Sequence, residues 1–81
     1  MNVTVRLFAR ARELAGQSEV CVNVPEGLTV AELRHRLGQT CPELKSLLPH
    51  LMFAVDNEYV SEARCLGPTV EVAAFPPVSG G

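Results

Sequence analysis

The residues with the most chemical promise stand at the C-terminal end. Pro76-Pro77-Val78-Ser79-Gly80-Gly81 lacks two backbone donors and has no hydrophobic period, so it can neither extend a sheet nor cover a core. Pro-Pro favours an extended arm at about 3.1 Å per residue, which gives six residues a reach on the order of 20 Å. Gly80 and Gly81 carry no Cβ, so their backbone can pass close to an enclosing wall. The group at the tip is then a carboxyl on an unbranched residue. A carboxylate is a poor electrophile at neutral pH, and adenylation or a similar activation makes it an acyl donor whose leaving group a nucleophile can displace. Gly-Gly by itself fits a frayed end equally well. Its place after a Pro-Pro spacer and a strand favours an arm that delivers the carboxyl of Gly81 into a partner's active site.

An arm needs a body to aim it. The 81 residues suffice for one domain, which at this size buries roughly 60 to 65% of the surface its unfolded chain exposes. Residues 3 to 9 alternate as a strand, with Val3, Val5, Leu7 and Ala9 on one face and Thr4, Arg6 and Phe8 on the other. Residues 10 to 16 suit a helical turn stopped by Gly16. Val20, Val22 and Val24 then mark a second strand, antiparallel to the first. Thr29 followed by Glu32 is a capping box, so a helix should begin near Val30. Val30, Leu33 and Leu37 form its buried stripe, Arg34 and Arg36 face elsewhere, and Gly38 is placed to end it.

A short helical turn from Glu43 to Leu48, closed by Pro49, leads to a third strand at Leu51 to Val55, whose inward face periodicity leaves open. Asp56-Asn57 is a tight-turn pair before Glu58, Tyr59 and Val60. The last strand runs from Thr69 to Phe75, with Val70, Val72 and Ala74 on one face. Two strands, a helix, then further strands fit an α+β domain: one mixed sheet with one main helix across a face, first and last strands parallel in its middle. That is the ubiquitin-like β-grasp arrangement, with residues 1–75 as the domain and 76–81 as a flexible tail.

Phe8 and Phe75 fall on the polar faces of neighbouring strands, and Tyr59 and Arg12 could extend the patch they form. Two readings stand: a partner-binding surface, or a face that the helix covers with the sheet turned the other way.

Other chemistry is thin. Cys21, Cys41 and Cys65 are odd in number and form no C-x-x-C pair, which points to structural roles and reduced thiols in a cytoplasm. His35 and His50 have no second ligand at metal spacing, so no metal site is expected. There is no phosphate loop and no nucleophile elbow, which argues against catalysis by this chain alone. Lys45 is the only lysine, which disfavours isopeptide chains built on itself. Seven Lys and Arg against nine Asp and Glu, without a basic stripe, exclude nucleic acid as an expected partner. No signal peptide is recognisable, and no run approaches the roughly 20 apolar residues of a membrane span.

Two segments carry a resemblance: Phe75-Pro76-Pro77-Val78-Ser79-Gly80-Gly81, and Leu7-Phe8-Ala9-Arg10-Ala11-Arg12-Glu13-Leu14-Ala15-Gly16, which is similar to a Phe-Ala-x-x-Arg-Glu-x-x-Gly pattern. With the weaker Ala54-Val55-Asp56 and Tyr59-Val60, the chain resembles the small subunits of molybdopterin synthase, ubiquitin-like sulfur carriers of molybdenum cofactor biosynthesis. The resemblance implies that an E1-like enzyme uses ATP to adenylate Gly81. Sulfur from a sulfurtransferase is then installed as a thiocarboxylate, and the tail enters the large synthase subunit in a heterotetramer. Two deliveries would build the pterin dithiolene, with catalytic side chains and cofactors belonging to the partners. Thr69-Val70-Glu71-Val72 stands where the family commonly has Gly-Asp-Glu-Val, and Asp56 where Asn is usual. Thiazole-pathway sulfur carriers and ubiquitin-like protein modifiers, which also end in Gly-Gly, are the alternatives.

Overall fold

The computed structural model describes residues 1–68 and 70–77; Thr69 and Val78, Ser79, Gly80 and Gly81 lie outside the described residues. Strand β1 (Asn2–Leu7) is followed by helix α1 (Ala9–Ala15), β2 (Glu19–Asn23), helix α2 (Val30–Thr40), 3₁₀ turns at Pro42–Leu44 and Leu48–His50, then β3 (Met52–Val55), β4 (Glu58–Tyr59) and β5 (Val72–Phe75). The sheet order is β2-β1-β5-β3-β4. Strand β1 runs antiparallel to β2 and parallel to β5, so the first and last strands meet in the interior of the sheet as expected.

Alternation decides which face is covered. Val3, Val5 and Leu7 of β1, Val20 and Val22 of β2, Phe53 and Val55 of β3 and Val72 and Ala74 of β5 all point to one side. On that side they join Val30, Leu33 and Leu37 of α2 in the core. The third strand's inward residues are thus Phe53 and Val55. The capping box forms as its spacing predicts: Glu32 N–H donates to Thr29 Oγ1 at 3.3 Å and Thr29 N–H donates to Glu32 Oε1 at 3.3 Å. Gly16, with φ 71°, closes α1, and its N–H donates to the Arg12 carbonyl at 2.9 Å. Asp56 and Asn57 both take positive φ, 49° and 69°, the backbone that a two-residue hairpin between β3 and β4 requires.

Five local expectations change, the first being the last strand, which begins at Val72 with Val70 and Glu71 outside it. Helix α2 runs through Gly38 to Thr40. Gly38 is buried, and a Cβ there would collide with Leu48 Cδ1, so this glycine serves a close approach instead of a stop. Arg34, expected to face away, is half-buried. Its Nε and NH2 donate to both oxygens of Glu62 at 2.9 and 2.8 Å, NH1 donates to the Leu48 carbonyl, and the guanidinium lies 4.9 Å from the centre of the Phe53 ring. Ala9 does not continue the inward face of β1: it is exposed, with φ 52°, at the turn from strand to helix. Pro49 sits inside the second 3₁₀ turn and does not close the segment before it.

Candidate functional site: the open face beside the tail

Among the described residues, no helix covers the sheet face opposite α2. Along β5 it presents Ala73 and Phe75, and the antiparallel register with β3 sets Ala54 beside Ala73 and Met52 beside Phe75. The β3–β4 hairpin sets Tyr59 beside Ala54. Met52 is 46% and Tyr59 67% exposed, the two large apolar side chains that stand out into solvent among the described residues.

Phe8 reaches this face because β1 stays extended one residue past Leu7, with φ −128° and ψ 153°, before the chain turns into α1. Since Leu7 pairs with Ala74, the next residue on each strand comes side by side. The Phe8 and Phe75 rings stack with centroids 4.7 Å apart and planes 10° apart, and Tyr59 leans on Phe75 at 6.0 Å and 59°. Such stacked and tilted pairs contribute about 0.5–1.5 kcal/mol beyond the area they bury. Arg6, two residues before Phe8 on the same face, carries its guanidinium 5.7 Å from the Phe8 centroid. Together with Asn57 and Glu71 these side chains line a shallow cavity of about 180 Å³.

The cavity's rim is fixed by backbone. Asp56 N–H donates to the Glu71 carbonyl at 2.9 Å, and Glu71 N–H donates to Asp56 Oδ1 at 3.0 Å, so the hairpin is clamped to the chain entering β5. That clamp is a role for the aspartate that stands where Asn is usual, since its carboxylate accepts the bond an amide oxygen would. Beyond Phe75, Pro76 is half-buried and Pro77 exposed. The other four members of the arm, Val78, Ser79, Gly80 and Gly81, lie outside the described residues.

Phe8, Phe75 and Tyr59 are therefore one cluster, and α2 covers the other face. Arg12 is exposed on α1 and does not line the cavity. Arg6 holds the position of the nearby cation, and its i, i+2 relation to Phe8 on a strand was the signal that would have found it. Met52 was hidden in a uniformly apolar run whose outward residues became readable only from the pairing with β5.

The remaining candidates separate cleanly. Cys41 is buried, with Sγ 3.1 Å from Glu43 Oε2; burial first and the adjacent carboxylate second push its thiol up, away from reactivity. Cys21 and Cys65 are exposed and unbridged. No group of three metal-ligating side chains occurs among the described residues, and no helix there is long and apolar enough to cross a membrane.

A mixed sheet with one main helix across one face and an open aromatic face on the other is that of a ubiquitin-like β-grasp protein. Solved structures agree. SAMP1 of Haloferax volcanii superimposes with a TM-score of 0.87 at 30% identity, covering 100% of both chains. The putative molybdopterin converting factor subunit 1 of Pyrococcus furiosus gives 0.82 at 31%, covering 96% of this chain and 99% of its own. Residues 5–81 match the ThiS family, and the chain belongs to it. In sequence it is similar over its whole length to the molybdopterin synthase sulfur carrier subunit of Chlamydomonas reinhardtii, 34% identical with 100% of each chain covered.

Proposed function

We propose that this chain is the sulfur-carrier subunit of a molybdopterin synthase. The observation that carries the reading is the full-length similarity to proteins of that name, together with an aromatic face at the root of the arm. An E1-like partner transfers AMP from ATP to the Gly81 carboxylate and releases pyrophosphate. The outer sulfur of a sulfurtransferase persulfide then displaces AMP to give an acyl disulfide, and a thiol reductant cleaves its S–S bond, leaving a thiocarboxylate. On the large synthase subunit the terminal sulfur bonds to the pterin precursor, and water attacking the acyl carbon cleaves the C–S bond and regenerates the carboxylate. The chain's own contribution is positional. The stack of Phe8 on Phe75 stiffens the sheet where the arm begins, the exposed Tyr59 and Met52 offer apolar area to a partner, and Pro76-Pro77 sets the reach of Gly81.

Co-expression with an activating enzyme and a sulfur source tests this: intact mass is expected to show one oxygen of Gly81 replaced by sulfur, and the thiocarboxylated chain is expected to support dithiolene formation by a large subunit. An unchanged mass under those conditions would defeat the reading. Offering the same species to a thiazole-forming acceptor separates the two carrier pathways.

The structural likeness to SAMP1, described in a second crystal structure as small archaeal modifier protein 1, favours one further reading, attachment of Gly81 to lysines of other proteins. Its mark is isopeptide adducts through Gly81 in cell extracts.

A further inference from the structure

The sheet has two edges, and they differ. Strand β4, at one end, is two residues long, which blunts it. Strand β2, at the other, is five residues long and regular, without proline, lysine or bulge between Glu19 and Asn23, and its inward residues are valines. Its hydrogen-bonding parity is readable from the ends of the β1–β2 ladder: Leu7 N–H donates to the Ser18 carbonyl at 2.8 Å and Val24 N–H donates to the Met1 carbonyl at 2.8 Å. The even-numbered residues of β2 therefore bond to β1. The N–H and C=O groups of Glu19, Cys21 and Asn23 point out of the sheet.

We propose that this edge pairs antiparallel with β2 of a second copy of the chain, about a two-fold axis at Cys21. The sequence Glu19-Val20-Cys21-Val22-Asn23 is self-complementary in that register. Glu19 stands opposite the second copy's Asn23, Val20 opposite Val22 and Cys21 opposite Cys21, so no charge faces its like and an acceptor carboxylate meets an amide. All six outward groups of each strand find partners. Pro25 supplies the end stop, because the next residue of matching parity has no N–H to give. A register shifted by two residues loses this pairing: it sets Glu19 against Cys21 and leaves Asn23 beyond the partner's strand. The two-fold axis stands perpendicular to the sheet, so both Phe8–Phe75 faces look out on the same side of a continuous ten-stranded sheet. The proposal does not depend on what the arm carries.

Sedimentation equilibrium of the full chain tests it, with the mass expected to rise from 8.7 kDa toward twice that value as concentration increases. Asn23→Glu places carboxylates opposite Glu19 and is expected to weaken association at least tenfold. The double variant Glu19→Lys with Asn23→Glu restores opposite charges and is expected to recover it. Cys21→Pro removes an edge N–H without touching the β1 ladder and should abolish pairing, with retained exchange protection of the Val20 and Val22 amides showing that the fold survives. A monomeric mass up to millimolar concentration would overturn the proposal, as would association that Asn23→Glu leaves unchanged. Protection of the Cys21 and Asn23 amides only in a complex with a different protein would give the edge to a foreign strand and equally overturn it.

Discussion

The two faces of the sheet are made by the same strands in alternate residues, yet they obey different rules. On the helix side, Val5, Leu33, Leu37 and Ala74 are fully buried and carry nothing polar, so each contributes through volume and contact. On the open side, Phe8 and Phe75 are half-buried, Tyr59 stands out, and Arg6 lies over an aromatic face. Packing fixes the first face, while the second holds its order through one stack and one clamped hairpin and keeps apolar surface available. A substitution should therefore reveal its face by whether stability or docking suffers more.

The strongest way to break the distinction is Leu37→Ala. It opens a cavity between α2 and the sheet and is expected to cost about 2–5 kcal/mol in urea unfolding, with partner binding lost only as far as the folded fraction falls. Phe75→Ala should do the reverse, weakening capture by the synthase large subunit by about 1–3 kcal/mol in titration calorimetry while thermal unfolding shows a smaller loss. Equal losses in both measurements would erase the difference between the faces.

Arg34→Met sharpens the helix side. It leaves the Leu48 carbonyl and Glu62 without their donor, at an expected cost of about 1–2 kcal/mol. The hydrogen bond from Arg34 holds the Glu62 carboxyl below its ordinary range. This pair's contribution is therefore complete above the ordinary carboxylate range and disappears as pH falls through the lowered value. The acid limb of stability against pH should be shallower in the variant. Thr29→Ala removes the capping box and is expected to cost about 1 kcal/mol by thermal denaturation. Smallest is Ala9→Gly, where relief of the left-handed backbone and the added freedom of the unfolded chain nearly cancel, leaving the unfolding free energy from thermal denaturation within about 0.5 kcal/mol of the parent.

Signals confined to neighbouring residues were legible in advance. The alternation of β1 and β2, the Thr29–Glu32 box, the Gly16 stop and the Asp56-Asn57 turn each depend on residues a few positions apart, and each forms. What stayed hidden depended on distant segments. Gly38 looked like a terminator until Leu48 was seen packed on it, and Arg34 looked solvated until Glu62 and the Leu48 carbonyl closed around it. The candidate site divides the same way. Phe8 and Phe75 were readable from strand parity, and Arg6 by the same parity with Phe8, but the company of Met52 required the order β1-β5-β3, which local pattern does not determine.

The pairing of β1 with β5 also governs timing. Strand β1 leaves the ribosome first and β5 last, so the parallel ladder beside which Phe8 meets Phe75 cannot close until nearly the whole chain has emerged. A partner that recognises the stacked rings thus meets them only after Phe75 has been made: a product cut before β5 lacks the surface as well as the arm.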